Sequence, residues 1–133
     1  ALVDQPIAMT AHVVYEAIDP DRAATVSPAV VGEVIRGAIG FDGLLLTDDL
    51  SMQALQGPLG ARAAAAFAAG CDMALHCNGR LAEAEEIAGA SPLLAGAAAR
   101  RADAARAALA RPEPFAVEEA AATLARLFGA AAA

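Results

Sequence analysis

Two adjacent carboxylates, Asp48 and Asp49, end a short apolar run, Leu44-Leu45-Leu46-Thr47, and lead into Leu50-Ser51-Met52. A leucine run opened by Gly43 reads as a buried strand, of the kind covered on both faces in a parallel sheet. Acids at the carboxyl end of such a strand stand where α/β folds bind their ligands. A neighbouring pair suggests a general acid and a base. On extended backbone, however, successive side chains point to opposite faces, so the two cannot address one substrate bond together. At most one is catalytic and the other braces the loop. The pattern alone does not choose between them.

The other candidate groups gather on a third apolar run, Cys71-Asp72-Met73-Ala74-Leu75-His76, and at its exit, Cys77-Asn78. The spacing of Cys71, His76 and Cys77 lacks the two paired ligand sets of a zinc site, so no metal is expected. Along a strand the two cysteines stand roughly 20 Å apart. A disulfide needs Cα atoms within about 7 Å. Two free thiols suit a reducing compartment, and a cytoplasmic location is expected.

The elements that must position these groups follow from local chemistry. Residues 6–11 form a first short apolar run that ends at His12, and a polar segment with Asp19-Pro20-Asp21 as its turn follows. Ser27-Pro28 supplies a cap and a proline for the first helical position. Val30, Val31, Val34, Ile35, Ala38 and Ile39 then recur at helical spacing, so residues 28–39 are expected to form an amphipathic helix stopped by Gly40. The strand is expected at 43–47, with a loop from Asp48 to about Gly57. An alanine-rich helix over 59–69, closed by Gly70, precedes the third run. Helix fits 80–88, Ser91-Pro92 reads as the start of a long helix to about 109, and a last helix covers about 116–128. Arg111-Pro112-Glu113-Pro114 reads as a rigid connector. Strands beginning about 28–37 residues apart match successive βα units. Three are too few for a closed barrel, which needs eight. The chain starts on Ala-Leu-Val-Asp, and it is expected to be the tail end of a (β/α)8 barrel rather than a small open sheet.

Bulk properties narrow the function classes. The 133 residues are 58% hydrophobic, carry a net charge of −7 and contain no Trp. The nine basic residues are all Arg and scattered, so nucleic acid or an anionic membrane surface is not an expected partner. No run reaches the ~18 apolar residues of a membrane-spanning helix. Arg100-Arg101 and Glu83, Glu85 and Glu86 read as solvated helix faces.

Residues 40–52, Gly-Phe-Asp-Gly-Leu-Leu-Leu-Thr-Asp-Asp-Leu-Ser-Met, resemble the nucleophile segment of glycoside hydrolase family 3, in its bacterial β-N-acetylhexosaminidase branch. That branch comprises the peptidoglycan-recycling β-N-acetylglucosaminidases. Ala11-His12-Val13-Val14-Tyr15 with Asp19-Pro20 resembles the preceding strand and loop, and Ala69-Gly70-Cys71-Asp72-Met73 with Cys77-Asn78 resembles the final barrel strand. Thr10 and His76 depart from the branch, which usually carries proline and an aliphatic residue there.

The resemblance implies that Asp48 is the nucleophile of a retaining double displacement, with Asp49 turned away to brace the loop. An ordinary aspartate, with a pKa near ~3.9, is ionised at neutral pH, as a nucleophile requires. His12 lines or braces the barrel top or touches substrate. Met52, with Leu50, could floor the N-acetyl methyl, and Asn78 bonds its own loop or the sugar. The general acid/base, a histidine with a partner aspartate, and the main sugar-binding residues belong to upstream segments that nothing here matches. The implied parent removes terminal non-reducing β-N-acetylglucosamine from muropeptide-type or chitooligosaccharide substrates without a cofactor. Residues 1–110 would belong to its barrel and 111–133 to a helical extension. The partners implied are the amino-sugar glycoside and the missing N-terminal part of the barrel, so the chain alone is expected to be inactive. The rival readings are β-glucosidase-type specificity and a non-catalytic half-barrel module.

Overall fold

The computed structural model describes residues 2–109 and 116–129. Three parallel strands, β1 (Ile7–Met9), β2 (Leu44–Asp49) and β3 (Met73–Leu75), form one sheet in the order β1-β2-β3. Helical connections carry the chain between them, as parallel pairing demands. This is the α/β arrangement expected from the sequence, with each strand in its expected place. The ends differ. β1 and β3 are shorter than the apolar runs that hold them. β2 runs two residues further than expected and includes both aspartates.

The connection from β1 to β2 contains a helix over Ala29–Ala38. Ser27 caps it as expected: its Oγ accepts the Val30 N–H at 3.1 Å. The winding is wider than α, however. The Ile39 N–H reaches back five residues to the Val34 carbonyl, the spacing of a π-helix. Gly32 and Gly37, also five apart, allow the widened turn: a Cβ on Gly37 would lie 3.3 Å from the Gly32 carbonyl. Helix α1 (Leu59–Ala69) joins β2 to β3 and closes at Gly70, whose φ of +111° favours glycine. Helices α2 (Leu81–Ala90) and α3 (Gly96–Ala107) follow β3, and α4 (Val117–Phe128) ends the described chain.

Ser91-Pro92 does not start a helix, contrary to the expectation. Ser91 ends α2, its Oγ donating to the Ile87 carbonyl at 2.8 Å. Pro92 holds it extended, with φ −85° and ψ 134°. The Arg111–Pro114 connector and the alanine tail lie outside the described residues.

Two apolar clusters hold the layers together. Leu45 on the sheet packs with Val31, Phe41, Ala66, Ala69 and Cys71. Leu50, just past β2, packs with Ala23, Leu55, Ala63 and Ile87. Ala63, Ala66 and Ala69 recur every three residues on one stripe of α1, and their small side chains let that helix press onto both clusters.

The opposite end of the sheet is pinned by charge. Asp72, with its side chain 5% exposed, accepts from Arg36 Nη2 at 2.7 Å, from Arg101 Nη1 at 3.0 Å and from the Leu45 N–H at 2.9 Å. Arg36 also donates to the Phe41 and Gly43 carbonyls. Arg101 also holds Asp42, whose carboxyl it keeps below its ordinary pKa by hydrogen bond and charge. Arg101 is therefore an anchor of α3 on the sheet, and not the solvated face it resembled in the sequence.

Candidate active site

The upper end of β2 departs from regular pairing at the candidate nucleophile. Leu46 pairs with Met73 and Asp49 with Leu75, so three steps of β2 lie against two of β3. This is a β-bulge, a device that re-aims side chains and is frequent beside active sites. Thr47, fully buried, fills the gap in the ladder: its Oγ1 accepts the Leu75 N–H at 2.8 Å. The simple alternation that separated Asp48 from Asp49 on paper does not hold through the bulge. What separates them is hydrogen bonding.

Asp49 spends both carboxylate oxygens on the protein. Oδ2 accepts from Ser51 Oγ at 2.7 Å, and Oδ1 from the Ser51 N–H at 3.0 Å and the Cys77 N–H at 3.3 Å. The Ser51 hydroxyl and then the Ser51 N–H hold its carboxyl below the ordinary aspartate range. Partial burial opposes them, and Cys77 and His76 contribute less. Asp48 differs. Its Oδ1 accepts the Asp49 N–H at 2.8 Å, and among the described residues no donor reaches Oδ2. Both residues are half-buried.

His12, expected at the rim, stands against the backbone of β2. Its Nε2 bonds the Asp49 carbonyl at 2.9 Å and its Nδ1 the Thr25 hydroxyl at 2.8 Å. Met52 is 44% exposed. The Met52 N–H donates to the Asp49 carbonyl, and the Arg62 guanidinium donates to the carbonyls of Met52, Leu50 and Gly57. Leu50 is fully buried in the core, so it is no part of an exposed apolar floor. Asn78 turns into its own loop: its side chain donates to Glu83 and accepts the Arg80 N–H at 3.0 Å.

Several contributors escaped the sequence reading. Thr25 and Thr47 are ordinary residues in a polar segment and an apolar run, and nothing local marks them. Glu83 is an anchor for Asn78 and Arg80 rather than a solvated face, and those hydrogen bonds keep its carboxyl below the ordinary range. His76 is largely buried, with Nε2 3.5 Å from Glu83 and Nδ1 4.0 Å from Asp49, and neither ring nitrogen makes a hydrogen bond among the described residues. A hollow of about 880 Å³ lies against β3, lined by Phe67, Met73, Leu75, Ile87 and Leu94, and it does not include Asp48. Cys71, Asp72 and His76 also line it. Among the described residues no three His, Cys, Asp or Glu side chains are grouped to hold a metal ion, and no helix is long and apolar enough to cross a membrane.

The Glycosyl hydrolase family 3 N terminal domain matches residues 1–107, and the chain belongs to that family. Over 75 residues it is 55% identical to a protein named Beta-hexosaminidase from Alkalilimnicola ehrlichii, covering 55% of this chain and 21% of the relative. A Beta-hexosaminidase from Bordetella avium is 45% identical over a stretch of the same length. Among solved structures, a β-N-acetylhexosaminidase from Beutenbergia cavernae is 36% identical, with a TM-score of 0.56, over 76% of this chain and 31% of that one. A family 3 β-N-acetylglucosaminidase from Paenibacillus is 25% identical, with a TM-score of 0.67, over 84% and 24%. The chain thus spans about a fifth of the length of these curated relatives. The branch resemblance seen in residues 40–52 is borne out.

Proposed function

We propose that this chain is part of a retaining β-N-acetylhexosaminidase that removes terminal non-reducing β-N-acetylglucosamine from muropeptide-type or chitooligosaccharide substrates, with Asp48 as its nucleophile. The observation that carries the assignment is the contrast at the exit of β2. Asp49 is saturated by protein donors, while Asp48 keeps Oδ2 open. That oxygen attacks the anomeric carbon, the glycosidic bond breaks, and the departing oxygen takes a proton from a general acid. Water then attacks the glycosyl ester with base assistance, releasing the sugar with net retention and restoring the Asp48 carboxylate.

The acid/base is assigned to segments outside this chain, by the family resemblance. The three parallel βα units support placing residues 1–110 in a (β/α)8 barrel, with 111–133 as its helical extension. Exposed Ile7 and Met9 on the edge strand β1 support a neighbouring strand from the rest of that barrel. The free thiols of Cys71 and Cys77 support a cytoplasmic location and a role in cell-wall sugar recycling there.

The test is trapping. A slow fluorinated N-acetylglucosaminide, turned over by the full-length protein and followed by peptide mass spectrometry, is expected to label Asp48. Asp48→Ala is expected to abolish both label and hydrolysis. Label on Asp49 or on any other residue overturns the assignment.

A further inference from the structure

The Asp49 backbone is held on both sides of its Cα. Its N–H donates to Asp48 Oδ1, and its carbonyl accepts from His12 Nε2 at 2.9 Å and from the Met52 N–H at 3.1 Å. A carbonyl can only accept, so His12 Nε2 carries a proton. In the neutral ring Nδ1 is then the acceptor, and the hydroxyl 2.8 Å away, that of Thr25, donates to it. The Thr25 oxygen accepts in turn from Thr10 Oγ1, also at 2.8 Å. The result is a one-way chain, Thr10 to Thr25 to His12 to the Asp49 carbonyl. Its first two members are buried, Thr25 completely, and the Cys71 thiol donates to the Thr25 carbonyl. A network of this kind, with each member satisfied, is rigid. It ties the end of β1 and the turn at Ala24–Val26 to the exit of β2.

We infer that His12 is the positioning residue for the nucleophile: it fixes the Asp49 carbonyl, across one Cα from the N–H that aims the Asp48 carboxylate, and it does not touch the sugar. The inference rests on Asp48 being the nucleophile. Among the described residues Asp48 hangs from a single donor, and its neighbour's carbonyl is anchored by a side chain from the loop that follows β1. Without His12 the β2 exit keeps its turn to Met52 but loses its link to β1. A displacement of about 1 Å in an attacking atom costs on the order of 100-fold in rate.

The experiment compares His12→Gln, His12→Asn, His12→Ala and Thr25→Val in the full-length protein, on a chromogenic β-N-acetylglucosaminide and on the slow fluorinated substrate. The Gln amide nitrogen reaches the place of Nε2, whereas that of Asn reaches only the place of Nδ1. The expected result is a kcat about 100-fold lower for Asn and Ala, with recovery to within about tenfold for Gln. KM stays within about threefold throughout, because uniform binding is untouched. The rate of Asp48 labelling is expected to fall in step with kcat. Thr25→Val is expected to lower kcat about tenfold at unchanged KM, since the ring loses one of its two fixed bonds.

A raised KM at unchanged kcat would mean that His12 binds substrate, and it overturns the inference. So does wild-type kcat in His12→Ala, or equal losses in Gln and Asn. Should Asn and Ala fail to fold, as judged by circular dichroism, wild-type kcat in Thr25→Val overturns it. Label on a residue other than Asp48 in the unaltered protein defeats the nucleophile assignment. Label on Asp48 with His12 variants at full kcat defeats this inference alone.

Discussion

Replacing Asp49 by alanine removes three acceptor contacts from the turn after β2. The Ser51 hydroxyl at 2.7 Å and the Ser51 N–H at 3.0 Å are well placed, while the Cys77 N–H at 3.3 Å is long and exposed. Hydrogen bonds to a charged group contribute about 1.5–3 kcal/mol each. The Asp49 side chain is 19% exposed, so the low end applies to the two good bonds and little is added for the third. The expected loss in unfolding free energy is about 2–4 kcal/mol. Asparagine keeps an acceptor without the charge and is expected to lose about half of that, roughly 1–2 kcal/mol.

The pH dependence follows from the sign of the shift. Asp49 titrates lower in the folded chain than in the unfolded one. Its charge therefore stabilises fully above the unfolded value of about 3.9, and that contribution disappears as pH falls through the folded value. Urea unfolding of the full-length protein and its Asp49→Asn variant should show the full gap at pH 7, and a closing gap below about pH 4. Hydrolysis by Asp49→Ala is expected to be reduced but not abolished. A gap under about 0.5 kcal/mol at pH 7, or one that persists at the lowest pH where both proteins fold, would refute the reasoning.

Two further outcomes can be checked on the same material. Asp72→Ala leaves Arg36, whose side chain is 16% exposed, with only the Phe41 and Gly43 carbonyls and no counter-charge, takes one carboxylate from Arg101 and leaves the Leu45 N–H without its acceptor, and should cost about 3–5 kcal/mol in urea unfolding. A loss near zero would mean that the pinned end of the sheet carries no stability. Burial, and then the charge of Asp72, push the Cys71 thiol up to about 12, whereas Cys77 is exposed. The thiolate is the reactive form, so at pH 8 a disulfide reagent should titrate Cys77 quickly and Cys71 only after unfolding. Cys77→Ser should abolish the fast phase, and survival of that phase counts against the buried thiol.

Features written in adjacent residues were legible in the sequence; features written between strands were not. Ser27-Pro28 starts a helix as expected, because the cap needs only the backbone three residues on. The same dipeptide at Ser91-Pro92 ends one, because α2 is already running into it and proline forbids helical geometry to the residue before. Strand positions could be read from the apolar runs. Strand ends depend on partners: β2 continues to Asp49 because Leu75 pairs there. The widened winding of Ala29–Ala38 was invisible to a count of apolar spacings, which suits either helix roughly. His12 was legible as a group at a strand exit. Its partners, 13 and 37 residues away, were not.

The acid pair shows where pattern stops and geometry begins. Alternation along a strand said only that Asp48 and Asp49 differ, and the bulge removes even that guarantee. Their hydrogen bonds restore the distinction on firmer chemical ground. A carboxylate already accepting three donors is stabilised as a spectator, because forming a bond to carbon would strip those donors of their charged acceptor. A carboxylate with one oxygen tethered and the other open loses far less on attack. On the proposed assignment of Asp48 as nucleophile, the same tether also fixes its aim, so the second acid is needed by the first: Asp49 supplies the N–H, and His12 holds the Asp49 carbonyl on the other side of the same Cα.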